Sequence, residues 1–300
     1  MQLLNRKIIK ASGADATRFL ESIITNDIKL LANNKKEVIY TLMLTPQGRF
    51  LYDAFITMSN SEYLLEVDAN NASNMLDHLN FYKLNSAVEF CIIEELSLYY
   101  IKSNHYNRKI NYDEPRSQLS SGKETDQLSN NYNFSKIYKD PRFAGLGYRL
   151  ILPGALETQN YSYFEDKYQF CIPDGFVDLV QNKSLPPEYG SDELEAISYT
   201  KGCYTGQEVI SRTKYQGQVR KSLFSIEFDN YIDENLAGKI ITQNDQEIGV
   251  ITSNWNKRDA GTIAIGLVRT ELLDINSVGS CAGFKCKIKD APWRSGGSSD

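Results

Sequence analysis

Residues 200–213 read TKGCYTGQEVISRT, and the setting of one thiol in this stretch governs how the whole chain is read. Cys203 lies between Gly202 and Tyr204, with Lys201 before it and Gly206 after it. Gly206 can open a helix, GQEVISR, in which Glu208 and Arg212 form an i, i+4 pair in the favoured order. The thiol would then stand just ahead of a helix N-terminus and beside an ammonium, two features that favour the thiolate. The glycines allow positive φ or the close approach of a ligand. A nucleophilic, redox-active or cluster-touching cysteine fits this pattern. So does a small buried residue in a loop whose glycines serve only the turn.

Composition narrows the field. A chain of 300 residues is long enough for two domains, and a formal charge of −5 speaks against a general nucleic-acid binder. No run of 18 apolar residues occurs, so no transmembrane helix is expected. The start, MQLLNRKIIKASGADATRFL, has neither the pattern of a secretory signal nor the Arg- and Ser-rich character of a transit peptide. Five cysteines at irregular spacings make no disulfide framework, and a reducing cytoplasm is the expected compartment. His78 and His105 are the entire imidazole supply, and Cys281 and Cys286 match zinc-ligand spacing poorly, so no metal site is expected.

Hydrophobic periodicity gives a helix through DATRFLESII with Ser12 or Asp15 as N-cap, ending at Thr25-Asn26-Asp27. EVIYTLML (37–44) and RFLYDAFITM (49–58) flank the turn TPQG and read as a β-hairpin. EYLLEV is a third strand, a helix covers about 70–82, and AVEFCII and LSLYYIK resume strand character. Residues 103–135 are polar and read as an irregular insertion. KIYKDPRFAGLGYRLILP restores order, and 161–200 reads as helical segments broken by IPDG and LPPEYG. From about 217, LFSIEF, AGKIITQ, QEIGVITS, TIAIGLV and CKIKD have the spacing of a small barrel or sandwich.

Three further groups could carry chemistry. Asp53 interrupts the apolar strand RFLYDAFIT, either facing a ligand cleft or turned outward on an edge strand. Glu188, set between two prolines and Tyr-Gly, is either a fixed acceptor for an aminopyrimidine ring or a solvated turn residue. Asn26 is either a ligand contact or no more than part of the turn that ends the first helix.

RFLESIITND, YTLMLTPQGRFLYD, DPRFAGLGYR, LPPEYGSDELEAIS and above all KGCYTGQEVISRTKYQGQVRK together resemble the YgfZ-type folate-binding proteins. These are relatives of the glycine-cleavage aminomethyltransferase, or T-protein. The resemblance spans about residues 5–270, and the DPR and LGYR segments are most similar to the branch with the mitochondrial iron–sulfur assembly factor. It implies an α+β, T-protein-like three-part fold, with a ferredoxin-like region and a C-terminal β-barrel around a central folate channel. The division implied is a folate-binding region over 1–215, a barrel over 216–293 and a polar tail over 294–300. It marks Cys203 and Lys201 as the reactive pair, and Gly202, Tyr204, Asn26, Asp53 and Glu188 as folate contacts.

The function it implies is that of a tetrahydrofolate-binding accessory factor for maturation or repair of four-iron cluster proteins. Cys203 would touch a cluster transiently, and partners, namely A-type iron–sulfur carriers and four-iron client enzymes, would supply the other ligands. The alternative is a folate-dependent one-carbon transferase that uses Asp53 as its base.

Overall fold

The computed structural model describes residues 2–103, 136–155, 162–257 and 261–294. Apart from Ser103 and Arg294, the polar insertion over 103–135 and the tail over 294–300 lie outside the described residues, as does His105. The chain forms two compact units: Met1–Leu20, Ile28–Tyr40 and Ala54–Tyr163 make the first, and Glu21–Asp27, Thr41–Asp53 and Phe164–Asp300 the second.

The N-terminal half contains β1 (Gln2–Leu3), β2 (Arg6–Ser12), α1 (Ala16–Ile23), α2 (Lys29–Ala32), β3 (Val38–Leu44), β4 (Phe50–Ser59), β5 (Glu62–Asp68), α3 (Ala72–Tyr82), β6 (Glu89–Ile93) and β7 (Leu96–Ile101). Then come β8 (Lys136–Lys139), β9 (Tyr148–Pro153), α4 (Ser162–Gln169) and the single turn α5 (Gly175–Asp178), with a 3₁₀ turn over Pro186–Tyr189 and α6 over Gln207–Gln216. One sheet has the order β3-β4-β5-β2-β6 and a second β1-β7-β9-β8. β3 and β4 divide between the units after Tyr40 and Asp53. The hairpin expected around TPQG is present: the Gly48 N–H donates to the Thr45 carbonyl at 2.8 Å, with Gly48 at φ +70°.

The remaining strands are β10 (Lys221–Phe228), β11 (Ile240–Gln243), β12 (Gln246–Lys257), β13 (Gly261–Arg269), β14 (Gly279–Cys281) and β15 (Phe284–Asp290). They close in the order β10-β13-β12-β11-β14-β15, with β15 pairing back onto β10. The barrel expected from the regular strand spacing is therefore observed, and closure removes its exposed edges. Its core packs Phe224, Ile226, Ile241, Ile251 and Val268 with the buried Cys281 and Cys286. No helix among the described residues is long and apolar enough to cross a membrane.

One sequence expectation differs in detail. Asp15 stands at the N-cap position of α1, its carbonyl accepting the Phe19 N–H at 2.8 Å, but its carboxylate accepts the Ala87 N–H at 2.8 Å, while Ser12 ends β2. Over 161–200 the helical pieces α4, α5 and the 3₁₀ turn are separated around IPDG and LPPEYG, as the sequence predicts.

The first unit is organised around a buried charge network. Glu66 accepts from Arg149 Nη2 at 2.6 Å, from Arg6 Nε at 3.1 Å and from the Tyr138 hydroxyl at 2.6 Å. Asp140 accepts from Arg142 Nε at 3.0 Å and Nη2 at 2.8 Å, and from Arg149 Nη1 at 3.4 Å. All three guanidinium groups lie over the Phe55 ring, the closest being Arg149 at 3.8 Å from its centroid. Burial alone would raise the Asp140 carboxyl, but Arg142 and then Arg149 outweigh it and hold the group below the ordinary carboxylate range. A depressed folded-state pKa means stability present above the unfolded-state value and lost as pH falls through the lower, folded one. Arg149→Met should destabilise the protein by about 3–5 kcal/mol, since Glu66 stays buried with its main partner gone. Urea unfolding at pH 7 checks this, and a wild-type stability that falls steeply below pH 4 checks the linkage.

Candidate functional site

The K-G-C loop is built on a buried ammonium. Lys201, whose side chain is 0% exposed, donates through Nζ to the carbonyl oxygens of Glu21 at 2.7 Å, Ile24 at 2.7 Å and Asn26 at 3.0 Å. An ammonium has three N–H donors, so three main-chain acceptors match it one for one. Glu21 Oε2 lies 3.7 Å away, and the Tyr204 ring lies with its centroid 5.1 Å from Nζ. These acceptors are the last turn of α1 and the residues that follow it. The lysine therefore caps a helix end while tying it to a loop about 180 residues further along the chain.

A second layer holds the same segment. The Thr25 hydroxyl donates to the Ala196 carbonyl at 2.7 Å and accepts the Leu42 N–H at 2.9 Å. The Asn26 amide donates to the Glu195 carbonyl at 2.7 Å, its Oδ1 accepts the Asp27 N–H at 2.8 Å, and its own N–H donates to Thr41 Oγ1 at 3.0 Å. Asn26 is thus an internal tie. The Thr205 N–H donates to the Ser22 carbonyl at 3.1 Å, closing the loop on its far side. Between these two anchors Cys203 is exposed.

The two glycines differ. Gly206 precedes α6 at φ +85°, and a Cβ there would lie 2.6 Å from the Thr45 carbonyl oxygen. Both backbone and space demand glycine. Gly202 is exposed, and a Cβ there would meet only Glu21 Oε1 at 3.6 Å, an ordinary contact. Tyr204 turns inward: it is 7% exposed, and among the described residues its hydroxyl has no hydrogen-bond partner. Burial, then the neighbouring Asp192, pushes this phenol well above its ordinary range.

The other carboxylates occupy different contact sets. Asp53 is 2% exposed on β4, which lies between β3 and β5, so it is not an outward position on an edge strand. A Cβ on Gly175 would fall 2.3 Å from its Oδ1, so glycine at the start of α5 leaves room for the carboxylate. Glu188 is half-buried on the 3₁₀ turn; its N–H donates to the Leu185 carbonyl at 3.0 Å, and its carboxylate makes no hydrogen bond among the described residues. Burial raises its pKa, opposed by the positive charges of Lys221 and Arg49. Arg49 donates to the Lys183 carbonyl at 3.0 Å, and Phe50 pairs through its N–H with the Ser184 carbonyl at 2.9 Å.

The contacts bring Asn26, Lys201, Gly202 and Tyr204 together around residues 21–27. The hairpin over 41–53 carries Asp53 and, through Arg49 and Phe50, bonds Lys183 and Ser184 shortly before Glu188. Thr25, Thr41 and Arg49 carry hydrogen bonds of this assembly, and the sequence reading gave none of them a role beyond Thr25 in the turn that ends α1. Hydroxyls inside the apolar runs IITND and YTLML were the available signal for the first two. Among the described residues no group of three or more His, Cys, Asp or Glu side chains could hold a metal ion.

The profile of the GCVT N-terminal domain matches residues 5–99. The chain is 32% identical over 241 residues to an iron-sulfur cluster assembly factor IBA57 homolog, mitochondrial, of Neurospora crassa, covering 74% of this chain and 52% of that protein. Over 249 residues it is 28% identical to the mouse iron-sulfur cluster assembly factor IBA57, mitochondrial, covering 76% of this chain and 66% of the mouse protein. The chain spans about half the length of the first of these relatives. The crystal structure of the glycine cleavage system aminomethyltransferase T from Bartonella henselae superposes with a TM-score of 0.70 at 15% identity, covering 96% of this chain and 84% of that one. The α+β, T-protein-like fold with a C-terminal β-barrel is thereby borne out. The cytoplasmic expectation is corrected: these sequence relatives are mitochondrial by name. A cysteine pattern without a disulfide framework suits any reducing compartment and does not single out the cytoplasm.

Gly206→Ala should lower stability by more than about 1 kcal/mol, as expected where a side chain is forced into positive φ. Gly202→Ala should leave thermal unfolding unchanged. Lys201→Met, which strands three carbonyls, should cost about 2–4 kcal/mol and speed amide exchange in residues 21–27 and 198–206. Calorimetry and hydrogen exchange on the three variants measure this.

Proposed function

We propose that this protein is a tetrahydrofolate-binding accessory factor for the maturation or repair of four-iron cluster proteins, of the YgfZ type within the aminomethyltransferase-like fold. The observation that carries the proposal is an exposed thiol, Cys203, at the tip of a loop whose ends are fixed by a buried lysine, in a chain similar to named iron–sulfur assembly factors. Fixed ends hold the sulfur at one place in solvent, where a partner's cluster, an oxidant or a partner thiol can meet it. One thiolate fills one of the four ligand positions such a cluster takes. The rest belong to partners, which we take to be A-type carrier proteins and four-iron client enzymes.

The residues present fit a reduced folate. Glu188 offers a half-buried carboxylate whose lone pairs are not engaged by the described residues, which suits the paired N–H donors of an aminopyrimidine. Asp53 is a buried carboxylate given room by Gly175, and it supports the second reading, a one-carbon transferase in which it holds or deprotonates an amine. In this proposal residues 1–215 form the folate-binding region and 216–293 the barrel. Asn26, Gly202 and Tyr204 complete the folate contacts.

In cells whose only copy carries Cys203→Ala, aconitase-type activity should fall to the level of a deletion strain with enzyme antigen unchanged. Wild-type activity in that strain would remove the thiol from the mechanism. Turnover of methylamine-type substrates by the purified protein, abolished by Asp53→Asn, would instead establish the transferase.

Glu188→Gln should weaken tetrahydrofolate binding at least tenfold in calorimetric titration without lowering Tm. The pH dependence has a definite sign. Because burial raises the Glu188 pKa, binding should fade on acidification at a pH above that of an ordinary glutamate. The same shift makes protonation of Glu188 favour the folded state, so the variant should not be less stable at neutral pH.

A further inference from the structure

A cleft of about 560 Å³ opens in the second unit between α4, α5 and the barrel strand β12, away from the thiol loop in its lining residues. Its inner wall is Thr252, Ser253 and Tyr168, its apolar side Val177 and Ala237, and its rim Asp233 and Glu234. None of these residues belongs to the site described above.

The inner wall has a fixed hydrogen-bond polarity, set by a carboxylate buried behind it. Asp178, 3% exposed, accepts through Oδ1 from Thr252 Oγ1 at 2.7 Å and from Ser253 Oγ at 2.6 Å. Its Oδ2 accepts from Lys167 Nζ and from the Asp174 N–H. A hydroxyl has one hydrogen. The Ser253 hydrogen points back at Asp178, and that of Thr252 points at Asp178 or at the Ile265 carbonyl, 3.1 Å away. What both oxygens have left for the cleft is lone pairs. Tyr168, 4% exposed, brings its phenol beside Ser253, and its ring is already covered by Lys167 Nζ at 4.8 Å and stacked on Trp255 at 6.3 Å. The ion pair of Lys167 with Asp178 is fully buried, so this arrangement is rigid.

The Thr252 and Ser253 acceptors, an apolar flank and the carboxylates of Asp233 and Glu234 favour a cation that carries its own N–H donors on a short apolar stem. Asn235 and Asn254 also line the cleft; Asn254 accepts the Leu236 N–H through Oδ1 and donates to the Glu234 carbonyl at 3.2 Å, and Asn235 Oδ1 accepts the Ala237 N–H. The two carboxylates disfavour anions. We propose that this cleft binds a primary alkylammonium group, the chemistry shared by a lysine side-chain end and an aliphatic polyamine. The reading is independent of folate binding and of Cys203.

The test is a titration of the full chain, isotopically labelled, with spermidine, with Nα-acetyl-lysine amide, and with n-butanol as the neutral control, followed by amide NMR. The expected result is saturable shifts confined to residues 233–237, 252–254 and around Val177 with at least one of the two amines, and none with butanol. Saturation by spermidine alone would identify a free polyamine, and saturation by the lysine amide would identify a protein side chain. Val177→Trp, at a position 56% exposed, should fill the cleft and abolish the shifts with Tm unchanged. Asp233→Asn combined with Glu234→Gln should weaken binding at least tenfold. Equal response to butanol, absence of saturation with both amines, or undiminished binding in the Val177→Trp protein would overturn the proposal.

Discussion

A lysine whose three donors meet three main-chain carbonyls is the constraint on which the thiol loop depends. Taking an ammonium out of water is costly, and neutral carbonyls offset that cost only when every N–H has an acceptor at good distance. Glu21, Ile24 and Asn26 provide this because α1 stops there and leaves its terminal carbonyls without intrahelical partners. Lysine suits the place better than arginine, whose planar fork would not converge on three oxygens around one nitrogen. The result is a loop with buried ends and an exposed tip. Rigidity and accessibility, which usually oppose each other, are assigned here to different residues of one tetrapeptide.

The hairpin over 41–53 is the second organising element. Thr41 holds Asn26, Thr45 and Gly48 receive the turn before α6, Arg49 and Phe50 bond the 182–184 segment that leads to Glu188, and Asp53 packs against Gly175. A two-stranded ribbon serves well because successive residues alternate faces, so neighbouring positions reach different partners. It also explains why Gly48 and Gly206 both carry positive φ: the two turns approach to within side-chain thickness, and a Cβ at Gly206 would sit 3.2 Å from the Gly48 Cα.

Most of the strands were legible because their patterns are local. The barrel strands alternate or run apolar between Gly, Asn and Asp turns, and TPQG states its own geometry. β2 was not anticipated: RKIIKAS places Ile8 and Ile9 side by side, both 0% exposed, which defeats a reading based on alternation. The K-G-C motif was visible and Gly206 was read for the right reason. What sequence could not reveal was where Lys201 points. A lysine two residues before a cysteine suggests a charge partner for the thiol, whereas its three donors go to carbonyls far along the chain. Likewise the burial of Asp53 depends on β4 being flanked by β3 and β5 and on glycine at 175, a residue more than a hundred positions away.

A distinction among the polar groups follows. Thr25, Asn26 and Lys201 are satisfied within the protein, and their removal should be felt as lost stability. The Glu188 carboxylate and the Tyr204 hydroxyl are not satisfied by the described residues, and the latter is buried. A buried unpaired hydroxyl costs about 1–3 kcal/mol, a cost that a fold without further purpose would shed by replacing tyrosine with phenylalanine. Such a substitution would keep the ring under the Lys201 ammonium and remove the penalty. The phenol oxygen is a buried group that the described residues leave without a hydrogen bond, next in sequence to the exposed thiol. On the thiol loop itself the two kinds of group stand three residues apart, Lys201 with all three donors engaged and Tyr204 with its hydroxyl left unbonded by the described residues.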